Sequence, residues 1–331
     1  MKALVTGGAG FIGSHLCDHL VAHGHSVAAL DDLSTGRESN LEQLAGNPSF
    51  ELVKGSVLDK SLVDDVVAEC DTVFHLAAAV GVHTIVDKPL ESLHINLQGT
   101  ENVVESAARR RARFMVASTS EVYGKNDAEG LSEDADRVLG SPLKSRWSYA
   151  AAKGLDELVA YIYGEESGLP CVITRFFNIV GPRQTGRYGM VVPRFVSQAV
   201  AGEPITVYGT GDQRRCFGSV FDVVPAVVKL IDTPAAYNRA VNLGGKEEVS
   251  IRGLADRVIE LTGSPSTVAY VPYEEAYGEG YEDMQRRMPD TSLAHELIGY
   301  EPRRRLNDII ASIIDHDRAS GPDRRKAVAR P

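Results

Sequence analysis

The stretch Gly7-Gly8-Ala9-Gly10-Phe11-Ile12-Gly13 constrains this chain more than any other, because it sets glycines three residues apart between a strand and a helix. Lys2–Gly7 is an apolar run of strand type, and Phe11–Gly24 carries helical periodicity. Glycines here permit a tight turn and let backbone N–H groups approach a pyrophosphate, whose charge the helix N-terminus stabilises. A glycine cluster alone marks only a turn. Its place directly after the opening strand makes it an anion site.

The pattern then repeats. Ser26–Asp31, Phe50–Lys54, Thr72–Leu76, Phe114–Ser118 and Cys171–Phe177 read as strands. Helical stretches separate them, among them Leu93–Arg110 and Tyr149–Ser167. Such alternation predicts an α/β fold with a parallel, doubly wound sheet. After Gly181 the chain becomes rich in Gly, Pro and Arg. A strand-and-helix pattern resumes over Cys216–Asp232, with a short strand at Val241–Leu243. We expect residues 1–180, with 216–245 returning to them, to form the nucleotide-binding unit. Residues 181–215 and 246–315 would form a smaller, discontinuous α/β lobe, and the polar tail 316–331 would be disordered.

Composition narrows the function classes. A formal net charge of −10 suits no general nucleic-acid binder, since phosphate neutralisation needs excess Lys and Arg. The run Arg109 to Arg113 sits at a helix end, where cations suit the dipole, and reads as a solvated cap. Cys17, Cys70, Cys171 and Cys216 are scattered without CxxC or Cys/His spacing, so no metal is expected and a reducing cytoplasmic setting fits. No signal peptide is expected, since the chain opens directly on a strand pattern, and no apolar run nears the roughly 20 residues of a membrane span.

Two further features carry chemistry. Asp31 ends the second strand, where a carboxylate hydrogen-bonds adenosine ribose hydroxyls and repels a 2′-phosphate, favouring NAD over NADP. Asp32 follows it, with a turn cap as the plainer role, and Arg37 stands close enough to tolerate a phosphate. Tyr149 and Lys153 lie at i and i+4, on one helical face. A free Tyr titrates near 10. A cation about 5 Å away at an effective dielectric of about 20 contributes roughly 3 kcal/mol, or about two pKa units. Tyr149 then takes a proton from a hydroxyl as hydride leaves its carbon.

Taken together, these motifs resemble the extended short-chain dehydrogenase/reductase superfamily, in its branch of nucleotide-sugar epimerases, dehydratases and decarboxylases. The resemblance runs from about Lys2 to Pro302. It includes His75-Leu76-Ala77-Ala78, Asn96 with Gly99-Thr100, Ser118 to Gly124, Arg175-Phe176-Phe177-Asn178, and Gly181-Pro182-Arg183. It implies a Rossmann-type sheet and a nucleotide sugar bound between lobes, with NAD retained through the cycle. The implied NAD contacts are Gly7, Gly10, Phe11, Ile12, Gly13, Asp31 and Asp32. Val57, Asp59, Leu76, Ala77, Ala78 and Asn96 join them, with Tyr149 and Lys153 at the reactive end. Thr119 would hydrogen-bond the reacting hydroxyl, beside Ser120 and Glu121. The implied nucleotide contacts are Asn178, Arg215 and Arg287 at the diphosphate or ribose, with Val192, Arg194 and Tyr208 at a uridine pocket. A homodimer through two helices per subunit, Leu93–Arg110 and Tyr149–Ser167, is also implied.

Sugar 4,6-dehydratases resemble Thr119-Ser120-Glu121 but carry an acid where Ser120 stands, which disfavours dehydration. The segment resembles UDP-glucuronate decarboxylases. So do Lys144 to Tyr149, Gln213 to Phe217, Tyr277 to Asp283, and Arg286 to Pro289. UDP-hexuronate 4-epimerases share much of this. Both reactions begin by oxidising C4, and a C5 carboxylate then makes a β-keto acid. Carbon dioxide leaves if the C5–C6 bond aligns with the carbonyl π system; an epimerase must keep it out of alignment. Epimerase-like relatives often carry an Arg just after Gly-Pro-Arg-Gln to hold the carboxylate; Thr185 stands there, with Arg187 two residues on. Four expectations result. UDP-glucuronate 4-epimerisation comes first and UDP-glucuronate decarboxylation second. UDP-glucose 4-epimerisation follows, and a catalytically silent nucleotide binder comes last.

Overall fold

The computed structural model describes residues 1–79, 89–186, 190–277 and 284–319. The expectations on Arg187, on 278–283 and on 320–331 lie outside the described residues.

Alternating strands and helices build the main layer. Strands β1 (Lys2–Thr6), β2 (Ser26–Asp31), β3 (Phe50–Lys54), β4 (Thr72–His75), β5 (Arg113–Thr119) and β6 (Cys171–Phe177) pair in parallel with a further strand, Arg239–Gly244. The seven-stranded order is Arg239–Gly244, β6, β5, β4, β1, β2, β3. The order reverses beside β1, and in such sheets ligands bind at the carboxyl ends of the strands next to that switch. Thr6, His75 and Thr119 end their strands there. The central strands are buried on both faces, which explains their continuous apolar runs.

Helices Phe11–Ala22 and Val220–Ile231 cover one face, and Pro89–Arg110 with Ser148–Ser167 cover the other. A separate apolar core holds Val192, Phe195, Ile205, Val207, Leu254 and Ile310. It draws on helices Val191–Ala201, Ile251–Thr262 and Leu306–Ala319.

Two sequence expectations need correcting. Residues 316–319, expected to be disordered, complete the Leu306–Ala319 helix. Their polar character belongs to its half-buried last turn, where His316 and Arg318 complement the dipole and Arg318 donates to the Thr262 carbonyl at 3.1 Å. The helix Ser292–Ile298, expected in the smaller lobe, packs on the main core instead. Ala294 and Tyr300 are buried there, and the Tyr300 hydroxyl donates to the Gly244 carbonyl at 3.0 Å.

Candidate active site

The glycine turn is shaped by close approach. Gly7 has φ +68°, and a Cβ there would lie 2.9 Å from the Ala77 nitrogen; one on Gly13 would meet the Gly7 carbonyl at 2.1 Å. Gly10 caps the Phe11–Ala22 helix without a side-chain hydrogen bond, and its first turn holds no acid, so its N–H groups are suited to an anion. Asp31 is buried and ties strand end to glycine turn, accepting from Ala9 N at 2.9 Å and Leu33 N at 2.8 Å. Burial pushes its carboxyl up, against the pull of those N–H groups. This backbone cradle and carboxylate fit a dinucleotide.

The remaining residues expected at the cofactor separate into two groups. Val57 is buried in the core beneath the helix Pro89–Arg110, where its side chain is the one a Cβ on Gly99 would strike. Leu76 and Ala77 donate to Thr6 Oγ1 at 3.2 Å each, and Asn96 pins the same loop by accepting from Ala79 N at 2.8 Å. Asp59 and Asp32 are spent locally. Asp59 caps the helix Lys60–Ala68 through Leu62 N, and Asp32 accepts from the amide and hydroxyl of Ser34.

At the end of β5, Thr119 Oγ1 accepts from Glu121 N at 3.2 Å and opens the turn Ser120–Tyr123, which packs on the Ser148–Ser167 helix. Arg137 fastens the two together: its Nε donates to the Val122 carbonyl at 3.1 Å and Nη2 to the Ala150 carbonyl at 3.0 Å. Gly154 makes room, since a Cβ there would lie 2.2 Å from that guanidinium. Behind them Glu157 grips Arg175 through both oxygens and accepts from Ser118.

Glu121 sits between two guanidiniums. Arg146 Nη1 reaches Oε2 at 2.6 Å and Arg287 Nη1 reaches Oε1 at 2.6 Å, while Arg287 also donates to Ser120 Oγ at 3.0 Å. Burial opposes the charged form, yet Arg287 and then Arg146 hold the carboxyl at about 2. Trp147 lies buried under Arg146 and Lys125, supporting the loop.

The structure differs from three expectations here. Arg287, expected at the diphosphate or ribose, stands on the catalytic turn 167 residues away in sequence, because the short strand Arg286–Arg287 pairs with Arg214–Cys216. Val192, expected at a uridine pocket, is fully buried in the second core, as an apolar helix residue on a packed face must be. The third concerns Tyr149. Burial, then Glu121 and Asp156, push its phenol above the ordinary range, and Lys153 donates to Asp156 at 2.7 Å. The lysine charge thus has a partner of its own on the helix.

Arg194 and Tyr208 stay together, the guanidinium 3.9 Å over the ring centroid. Asn178 adopts φ +43° and donates to the Cys216 carbonyl at 2.9 Å; Arg215 is buried, donating to the Arg214 carbonyl at 2.9 Å. Sequence reasoning missed Arg137 and Asp156. Arg146 stood in a recognised loop, but nothing local joined it to Glu121.

The pattern of the NAD dependent epimerase/dehydratase family matches residues 3–244. The chain belongs to that family. It is an NAD-dependent enzyme of the extended short-chain dehydrogenase/reductase type. It is 41% identical over 302 residues to a UDP-N-acetyl-alpha-D-glucosaminuronate decarboxylase from Bacillus cytotoxicus, covering 91% of this chain and 92% of that protein. It is 37% identical to UDP-glucuronic acid decarboxylase 1 of Xenopus tropicalis, covering 91% and 68%. Among solved structures, UDP-glucuronic acid 4-epimerase from Bacillus cereus, in complex with UDP-glucuronic acid and NAD, superposes with a TM-score of 0.87 at 28% identity, covering 97% of this chain and all of that one. Among the described residues no helix is long and apolar enough to cross a membrane.

Proposed function

We propose that this family member decarboxylates a UDP-linked hexuronate through a 4-keto sugar. The sequence alone put 4-epimerisation first. The observation that moves decarboxylation ahead is the double ion pair at Glu121, with Arg146 and Arg287 each 2.6 Å from one carboxylate oxygen. An epimerase must hold the sugar carboxylate, and a free guanidinium does that best. Here two guanidiniums beside the catalytic turn, those of Arg146 and Arg287, are already answered by a protein carboxylate, and a third, that of Arg137, is held by backbone carbonyls. A substrate carboxylate placed near Glu121 gains little and meets a like charge, which favours its departure as carbon dioxide. Thr185, at the position where epimerase-like relatives often carry Arg, supports the same reading. So do the decarboxylases at 41% and 37% identity.

In this reading the turn Gly7–Gly13 receives the pyrophosphate of NAD and Asp31 the adenosine ribose. NAD held there would supply reversible hydride chemistry at sugar C4. Thr119 orients the O4 hydroxyl and Tyr149 takes its proton. The resulting β-keto acid loses carbon dioxide because the electron pair left at C5 spreads into the C4 carbonyl, and a proton then replaces the carboxyl group. Asn178, Arg194, Tyr208 and Arg215 hold the nucleotide. A dimer through the helices Pro89–Arg110 and Ser148–Ser167 belongs to the same reading.

Incubating the purified protein with NAD and UDP-glucuronate, or its 2-acetamido analogue, tests the proposal. A UDP-pentose lighter by carbon dioxide is expected. A uronate epimer of unchanged mass would reverse the choice in favour of the 4-epimerase, the reading favoured by the Bacillus cereus likeness.

A further inference from the structure

Lys153 has its own counter-charge. Its Nζ donates to Asp156 Oδ2 at 2.7 Å, one turn along the same helix. Lys153 is 2% exposed and Asp156 1%. The Thr100 side chain also faces the Asp156 carboxyl, which burial pushes up and Lys153 and Thr100 pull back down. Burying a carboxylate is costly, and helix propensity does not call for Asp at this position. Something other than helix stability is served.

The surroundings narrow what that is. His75 faces the pair from β4, with Nδ1 2.8 Å from Thr6 Oγ1 and Nε2 3.1 Å from Thr100 Oγ1. Burial, then the lysine charge, hold His75 at about 3, so it is neutral and supplies no second cation. The helix Pro89–Arg110 contributes Thr100 at this point, while its Glu105 pairs with Lys60 elsewhere. Glu157, next along the helix, is bound to Arg175 on β6 and to Ser118 on β5. Glu121 is bound to Arg146 and Arg287. Asp156 is therefore the carboxylate that answers Lys153.

We propose that Asp156 is a positioning residue of the catalytic pair: it anchors Lys153 and offsets its charge, withholding that charge from Tyr149. The inference rests on Tyr149 being the base of the proposed reaction. The tyrosine thus stays protonated in the resting protein and gains the help of a net cation only when the cofactor's positive ring arrives. The direction in which the phenol is pushed, up, with Asp156 among the causes after burial and Glu121, agrees. Seven residues separate Asp156 from Tyr149, two helical turns or about 10 Å on one face. At an effective dielectric of about 20, one charge at that distance moves a titration by about one pH unit.

The test reads Tyr149 directly. Ultraviolet titration of phenolate in NAD-saturated protein, with the Tyr149→Phe signal subtracted, gives its midpoint. Asp156→Asn should lower that midpoint by about one pH unit, and Asp156→Glu, which keeps the charge, should restore it. Asp156→Ala removes the same charge without an amide to house, and should lower it as well if the Asn protein fails to fold. An unmoved midpoint in the charge-removing variant overturns the proposal, as does an equal fall in Asp156→Glu. If the midpoint falls but no UDP-uronate is turned over, the functional reading fails alone. If turnover is seen and the midpoint stays, this inference fails alone.

Discussion

Replacing Glu121 with Gln tests the electrostatic core of the proposed reaction. Gln keeps the shape and one carbonyl acceptor but removes the charge shared by Arg146 and Arg287, each 2.6 Å away. At a charge separation of about 5 Å and an effective dielectric of about 20, each pairing is worth roughly 3 kcal/mol. The released guanidinium charge becomes available to the sugar carboxylate. That carboxylate exists in the bound ground state but has left, or is leaving, in the transition state, so the stabilisation is largely a ground-state one. About 3 kcal/mol of it slows carbon dioxide release by about 100-fold while lowering KM. Removing Glu121 also takes away a group that pushes the Tyr149 phenol up, so rates are compared on the pH-independent plateau. The assay is steady-state carbon dioxide release from UDP-glucuronate with mass analysis of the sugar. A kcat within a few-fold of wild type would refute the reasoning, whereas a slow variant with an increased share of uronate epimer would support it.

Tyr149→Phe should reduce turnover by orders of magnitude while calorimetry still registers NAD binding; wild-type-like turnover would remove Tyr149 from the proton step. Asp31 at the end of β2 predicts much tighter binding of NAD than NADP, and equal affinities would mean the carboxylate does not face the ribose. Burial, then the Lys153 charge, lower the His75 imidazole to about 3, against an ordinary value of 6.5. Its contribution is complete above pH 6.5 and drains as pH falls toward 3, because only the unfolded chain takes up the proton, at about 1.4 kcal/mol per pH unit. In His75→Gln the denaturation free energy should lose that slope between about pH 6 and 4, and an unchanged slope would show that the ring is not the group responsible. Leu155 and Leu158 are 48% and 50% exposed on the Ser148–Ser167 helix, with Ile162 a turn further on. Light scattering should find a dimer, and Leu158→Glu should shift it toward monomer; a wild-type monomer at micromolar concentration would refute that interface.

What the sequence reveals divides by range. Ser26–Asp31, Phe50–Lys54 and Cys171–Phe177 appear in the fold with the bounds that their apolar runs suggest. The glycine turn and the Tyr149/Lys153 pair are similarly local, set by i to i+3 and i+4 spacing. Arg287 is different. Nothing near it in sequence points to Ser120 or Glu121, because the contact is made by a strand pairing across the molecule. Asp156 escaped for another reason. A polar residue in a helix reads as solvent-facing until burial is known, and here the partner is the lysine one turn back. The helix Ser292–Ile298 joins the main core unannounced, because amphipathic spacing says which face is buried but not against what.

The second core is assembled from separate passages: residues near 180–207, then 217, then 249–258, then 306–314, with Val220–Ile231 and Ala294 belonging to the main core in between. Such a lobe has no single pair of cut points. It cannot be lifted out, swapped with that of a relative or appended by one recombination event without severing the sheet. Under the proposed reading, substituting residues in place is therefore the simplest way for a descendant of this chain to change its sugar. Grafting a neighbour's specificity would require at least three coordinated exchanges of segments. That makes the single side chains around Glu121 the accessible route to a different reaction.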